Sequence, residues 1–194
     1  MKKYYLTITI ILTICISLLS GCGNKIKDSL NWDLNDFTYT NQEGKSFGKS
    51  DLKGKVWIAD FIFSSCETVC PPMTANLAKL QRDAAAKKLN VNFVSFSVDP
   101  KVDTPQKLKE FSKKFNADLS SWNFLTGYSQ SEIEKFASDN FKTFVKKPES
   151  NSQVIHGTKF YLIDQNGKIV KAYSGVSNVD FDEILSDIKI LNGK

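Results

Sequence analysis

The sequence predicts a single α/β domain with a central mixed sheet, an N-terminal β-hairpin and flanking helices, and three observations carry that prediction. The run Val56-Trp57-Ile58-Ala59-Asp60-Phe61-Ile62-Phe63 is almost continuously apolar, the pattern of a strand buried on both faces inside a parallel or mixed sheet. The order of signals after it is strand, helix, strand, helix, then a closing hairpin and helix, which is the logic of a sheet covered by helices. The chain has 194 residues, 41% of them hydrophobic and 24% charged. That is enough for one sizeable core, with no repeat or low-complexity tract.

In chain order, Lys2 and Lys3 precede an apolar stretch from Leu6 to Leu19 that ends in Leu19-Ser20-Gly21-Cys22. Charge, a short greasy segment and small residues make an export signal over 1–21, too short for a comfortable membrane span. Small residues directly before Cys22 resemble a bacterial lipobox, which makes Cys22 the lipidated first residue of the mature chain. More than one acyl chain at that residue would give stable anchoring, since one chain alone binds marginally. The alternative is an uncleaved transmembrane anchor with Cys22 incidental. Residues 22–34 read as lipidated N-terminus and tether, and 35–194 as the domain. Removing Lys2 and Lys3 lowers the formal charge from +5 to +3. The remaining lysines are scattered as short pairs such as Lys87-Lys88 and Lys113-Lys114, a solvated surface with no case for nucleic acid and only a secondary role against anionic headgroups.

Within the domain, Phe37 to Thr40 and Ser46-Phe47 flank Asn41-Gln42-Glu43-Gly44, a hairpin signal. Pro71-Pro72-Met73 opens a helix with Leu77, Leu80 and Ala84 at helical spacing, prolines being tolerated where the first-turn N–H groups lack partners. Val91 to Val98 alternates as a strand closed by Asp99-Pro100, and Thr104 caps a second helix through Leu108, Phe111 and Phe115. Asn123 to Thr126 is a short strand, Ser131 to Phe141 a third helix, and 146–153 a polar loop. Gln165-Asn166-Gly167 turns a final hairpin, and Asp180 to Ile190 is the last helix.

Of four cysteines, Cys15 lies in the export signal and Cys22 is assigned to the anchor, leaving Cys66 and Cys70 as thiols on the oxidising side of a membrane. A loop of three intervening residues is too short to staple a fold, so the pair is there for chemistry. An offset of four is about one helical turn, which places both sulfurs on one side. A helix N-terminus beside them favours thiolate. A dithiol where the first βαβ strand enters its helix is the thioredoxin arrangement. In that fold the segment before a late strand packs against the dithiol, and redox members carry a cis-proline there; here the segment holds His156, the single histidine. Two thiolates and an imidazole form a soft set suited to Cu(I), and tolerable for Cu(II) with an added oxygen, whereas structural zinc normally takes four protein ligands. Asp99 at the same sheet edge is either an orienting carboxylate, for His156 or a partner's basic residue, or Asp-Pro turn chemistry. Met73 and the aromatic residues Trp57, Phe61 and Phe63 are core.

Phe61-Ile62-Phe63-Ser64-Ser65-Cys66-Glu67-Thr68-Val69-Cys70-Pro71, Val98-Asp99-Pro100, Asp103-Thr104-Pro105 and His156-Gly157-Thr158 together resemble the Sco/SenC family, from about Asn35 to the C-terminus. The resemblance implies a thioredoxin-like lipoprotein on the extracytoplasmic face of a bacterial cytoplasmic membrane, with one copper held by Cys66, Cys70 and His156. It also implies a part in assembling the copper A centre of cytochrome c oxidase subunit II, as metallochaperone, as reductant of that centre's cysteines, or both. A thiol reductant would then reset Cys66 and Cys70 after oxidation. The competing readings are a thiol–disulfide oxidoreductase that carries no copper, a peroxiredoxin-type peroxidase, and a copper or redox module with no oxidase client. Glu67 in place of a threonine three residues before Cys70 speaks against the peroxidase.

Overall fold

The computed structural model describes residues 26–66, 68–148 and 153–193; the export signal and Cys22 lie outside the described residues. Ten strands are described: β1 Trp32–Asp33, β2 Thr38–Asn41, β3 Ser46–Gly48, β4 Trp57–Ile62, β5 Asn92–Ser97, β6 Trp122–Thr126, β7 Val145–Lys146, β8 Ile155–His156, β9 Lys159–Ile163 and β10 Lys168–Ser174. The helices are α1 Cys70–Ala86, α2 Pro105–Lys114, α3 Gln130–Phe141 and α4 Phe181–Leu191. Eight strands form one mixed sheet in the order β1-β10-β9-β4-β5-β6-β2-β3, with β4, β5 and β6 parallel and the remaining pairs antiparallel.

Every residue of β4 is buried, as the apolar run predicts. Its alternation divides the core. Trp57, Ala59, Phe61 and Phe63 pack with Phe37, Phe96, Phe136 and Phe141 on one face. Ile58 and Ile62 pack on the other with Leu77 and Leu80 of α1, Leu108 and Phe111 of α2, and Ile184 and Ile188 of α4. Thr104 caps α2 by accepting from the Lys107 N–H, and Asp180 caps α4 by accepting from the Glu183 N–H.

Two features differ from the sequence reading. From Ile26 onward the stretch expected as a tether is docked: Leu30 N–H donates to the Val170 carbonyl at 2.9 Å, Trp32–Asp33 pairs with β10, and Leu34 is buried. Apolar Leu30 and Trp32 pack against the core face that holds Phe61, and Ile26 packs against the other face. Second, residues 146–153 are not all loop. The short ladder of β7 with β8, Val145 opposite His156 and Lys146 opposite Ile155, flanks 149–152, which lie outside the described residues. A ladder two residues long carries too little periodicity to read from sequence.

Candidate metal centre

The dithiol occupies the junction where β4 leaves the sheet and α1 begins. Cys66 N–H donates to the Phe63 carbonyl at 3.2 Å, and Cys70 N–H donates to Cys66 Sγ at 3.3 Å, so the turn is wrapped around the first sulfur. Asp103, fully buried, anchors the turn from below. It accepts from Ser64 Oγ at 2.5 Å and Ser97 Oγ at 2.6 Å, and from Ser64 N–H at 3.2 Å. The prolines at 71 and 72 occupy the first turn of α1 without losing a hydrogen bond.

His156 reaches the same place from β8. Its Nε2 lies 3.2 Å from Cys70 Sγ, and its ring stands edge-on to Phe63 at 5.7 Å. Nδ1 is 2.9 Å from the Gly157 carbonyl. A carbonyl only accepts, so Nδ1 carries a proton; Nε2 presents its lone pair when it binds a metal, and when it is protonated as well it donates to the Cys66 sulfur. A Cβ on Gly157 would stand 2.1 Å from Thr143 Oγ1, so glycine is what lets the chain pass Thr143 immediately after the histidine. The donor atoms of Cys66, Cys70 and His156 all lie within 4.8 Å of one another. Bonds of about 2.0–2.3 Å from thiolate and imidazole to a first-row metal set the donors of a trigonal site about 3.5–4 Å apart, so the three residues fit one ion with small adjustments.

The two thiols are unequal. Burial acts to raise Cys66, but hydrogen bonding with His156, with the Cys70 side chain and with the backbone at Cys70 and Thr68 outweighs it and brings the thiol down to about 6. Cys70 is pushed far up, by burial first and then by the Cys66 sulfur, with the Asp60 carboxyl adding to it. Cys66 is the thiolate at neutral pH and Cys70 the proton-bearing partner, and both are free cysteines.

Asp99 is buried, and Oδ1 accepts from Lys147 Nζ at 2.6 Å. No hydrogen bond among the described residues joins Asp99 to His156; the Gly157 carbonyl orients the ring instead. Lys147 follows β7, so the ion pair ties the ribbon that carries His156 to the end of β5. The Lys147 N–H also donates to Glu134 of α3 at 3.1 Å. Met73 is fully buried among the residues of the α1 face and lies under Gly175, in the packing position expected of it.

Three residues near the site were given no role in the sequence reading. Asp103 stands in the Asp103-Thr104-Pro105 motif, but its bond to Ser64 spans 39 residues, and Lys147 meets Asp99 across 48, so no local signal marks either contact. Asp60 did carry one, as the sole charged residue in the apolar run Val56–Phe63. It is fully buried, accepts from Ser95 Oγ at 2.5 Å, and leaves Oδ2 without a partner. Trp122 Nε1 donates to the same Ser95 hydroxyl at 2.9 Å. Burial raises the Asp60 carboxyl to about 7, against the pull of Ser95 and of the His156 ring.

These features define a thioredoxin-like domain with a dithiol–imidazole centre, able to bind a soft metal or to exchange thiol for disulfide. The SCO1/SenC family model matches residues 31–191, and the chain belongs to that family. A SCO1/SenC family lipoprotein from Bacillus anthracis has a crystal structure that superposes with a TM-score of 0.84 at 60% identity, covering 86% of this chain and 99% of that one. BsSco, described as having a disulfide switch and as a member of the Sco family of cytochrome c oxidase assembly proteins, gives 0.81 at 50% identity, with 88% and 99% covered. The copper-bound ScoI of Bradyrhizobium japonicum gives 0.68 at 25% identity, with 82% and 99% covered.

Proposed function

We propose that this chain is a membrane-anchored copper metallochaperone on the extracytoplasmic face of a bacterial cytoplasmic membrane, serving the copper A centre of cytochrome c oxidase subunit II. The convergence of Cys66 Sγ, Cys70 Sγ and His156 Nε2 within 4.8 Å is the observation that carries it. Copper bound to the Bradyrhizobium relative, and the assembly role stated for the family of BsSco, support the same reading. The B. anthracis relative is a lipoprotein, which supports lipidation of Cys22 after cleavage of 1–21.

One copper per chain, taken as Cu(I), is cargo. The reduced pair binds it with His156, and the client's cysteines remove it by ligand exchange. Oxidation of Cys66 and Cys70 to a disulfide, by exchange with a client disulfide that takes the two electrons and opens to two thiols, removes both thiolate ligands, so the metal leaves. A thiol reductant returns the two electrons and resets the site. The unequal thiols also favour a second reading, in which Cys66 attacks client disulfides and Cys70 resolves the mixed disulfide without copper.

A copper titration of the reduced protein beside a His156→Ala variant separates the two. One tight copper per chain that weakens sharply in the variant supports the metallochaperone. Loose binding, or equal behaviour of both proteins, gives the lead to the reductase. For the anchor, a Cys22→Ser variant should accumulate uncleaved, and normal processing would overturn lipidation.

A further inference from the structure

The metal centre and the chain's N-terminal attachment emerge at the same end of the molecule. Strand β10 ends at Ser174, paired with Lys159, three residues after His156. Strand β1 runs antiparallel to β10, with Trp32 opposite Ile169, so tracing backward from Trp32 the chain climbs towards that end. Leu30 has already reached the Val170 carbonyl, and Asp28 lines the same cleft as Gly157, Thr158 and Lys159. Four peptide units separate Cys22 from docked Ile26, a reach of about 14 Å at full extension.

The surface at that end has a particular composition. In the β7–β8 ladder, Val145 and His156 form one opposed pair and Lys146 and Ile155 the next. Opposed residues share a face and successive ones alternate. Val145 is buried and His156 meets Cys70, so Phe144, Lys146 and Ile155 look outward. Phe144 is 66% exposed and Ile155 56%, the exposed large hydrophobic side chains of the described domain. Residues 142–159 hold four lysines against one acid, Glu149. Lys146 and Lys147 are paired with Glu134 and Asp99. The Lys142 ammonium rests on a backbone carbonyl, that of Asp139, which leaves its charge uncancelled. Lys159 is exposed, with no ion pair among the described residues. Two protruding apolar side chains flanked by uncompensated lysines are the composition that seats a protein in an anionic lipid interface.

We infer that the outer face of the β7–β8 ribbon, Phe144 and Ile155 with Lys142 and Lys159 beside them, rests on the anionic surface of the bilayer to which the N-terminus is attached. The inference rests on the proposed N-terminal membrane attachment and adds an orientation to it. The dithiol end faces the membrane plane; the turn after β3, whose Gly54 N–H donates to the Gln165 carbonyl in the turn between β9 and β10, lies at the other end and faces away. The short reach before Ile26 keeps this face at high effective concentration over the lipid, so a weak contact suffices to orient the domain.

The test uses the full chain purified from bacterial membranes and placed in phosphatidylglycerol–phosphatidylcholine vesicles with brominated acyl chains, as Phe144→Trp and, at the opposite end, Lys53→Trp. After subtraction of the native tryptophan signal, Phe144→Trp should be quenched at least twofold more than Lys53→Trp. The difference should largely disappear on adding Lys142→Glu and Lys159→Glu, or in phosphatidylcholine alone. Equal quenching of the two tryptophans on vesicle-bound chain overturns the orientation and leaves the attachment standing. Failure to sediment with vesicles overturns attachment and orientation together. Intact mass reports acylation of Cys22 separately, and a chain held through uncleaved 1–21 leaves the quenching comparison valid. A Phe144→Trp signal untouched by bromine but shielded from iodide by an added copper A domain would assign the face to a protein client and overturn the lipid contact.

Discussion

Cys66 and Cys70 stand where a strand buried along its whole length meets the 17-residue helix α1, whereas His156 stands on a ladder of two residues per strand. The turn that carries the sulfurs is held by the Cys66 N–H on the Phe63 carbonyl, by the Cys70 N–H on Cys66 Sγ, and by buried Asp103 through Ser64. The imidazole is held by what the ribbon borrows: the Lys147–Asp99 pair, the Lys146–Glu134 pair and the passage of Gly157 over Thr143. In the proposed copper site, two thiolates on a corner packed into the core would keep a soft metal bound, while a third ligand on a thinly supported ribbon would set how tightly. A carrier needs that division, because it must hold copper in transit and yet give it up to a client's cysteines.

Removing a corner ligand should have the largest effect. Cys66→Ser or Cys70→Ser should lower Cu(I) affinity about a thousandfold or more, on the order of 4 kcal/mol. His156→Ala should cost roughly a hundredfold, comparable with the strongest losses from ligand-supporting residues. Competition titration with a Cu(I) chelator measures both, and an equal loss in the three variants would break the comparison.

Next comes the support of the ribbon. Lys147→Met leaves buried Asp99 without its cation, and because Lys147 is itself a quarter exposed the expected loss of stability is about 1–3 kcal/mol rather than the full cost of a buried pair. Urea unfolding measures it. Copper affinity should fall about tenfold through misplacement of His156, while alkylation of Cys66 at neutral pH continues.

Asp60 tests the corner from beneath. Its carboxyl is raised from the ordinary range to about 7 in the folded chain, so the folded state holds that proton more tightly than the unfolded state does. Its contribution to stability is therefore present below about pH 4 and declines as pH rises through about 7. Asp60→Asn should remove this dependence, giving a urea midpoint above that of the parent at pH 8 and nearly equal to it at pH 4. A parent midpoint that does not fall between pH 5 and 8 relative to the variant would show that Asp60 is not held protonated. The smallest effect concerns Cys66 alone. Its alkylation rate should rise with pH to a midpoint near 6, and His156→Ala should move that midpoint upward by removing the hydrogen bond from the ring.

Much of this was legible in the residues. The apolar run Val56–Phe63 gave a strand buried on both faces, Thr104-Pro105 gave a capped helix, and Gln165-Asn166-Gly167 gave the last hairpin, because each signal lies within a few neighbours. The alternation from Val91 to Val98 gave a strand too, yet its polar members Ser95 and Ser97 are buried and bind Asp60 and Asp103 instead of facing water. Alternation marks the period of a strand, and it is the covering elements that decide whether the polar side is wet.

The sequence by itself determined the pairing of Cys66 with Cys70 and their place at a helix start, since four residues and two prolines settle that locally. It also singled out His156, the one imidazole of the chain, because it stands directly before a late strand that this kind of sheet brings up to the dithiol. The tertiary structure alone decided that His156 Nε2 faces Cys70, that Asp99 belongs to Lys147, and that the stretch from Leu30 is docked on β10. Those contacts join residues 48 to 140 positions apart, and no local pattern records which distant groups a folded sheet and its packed helices will bring together.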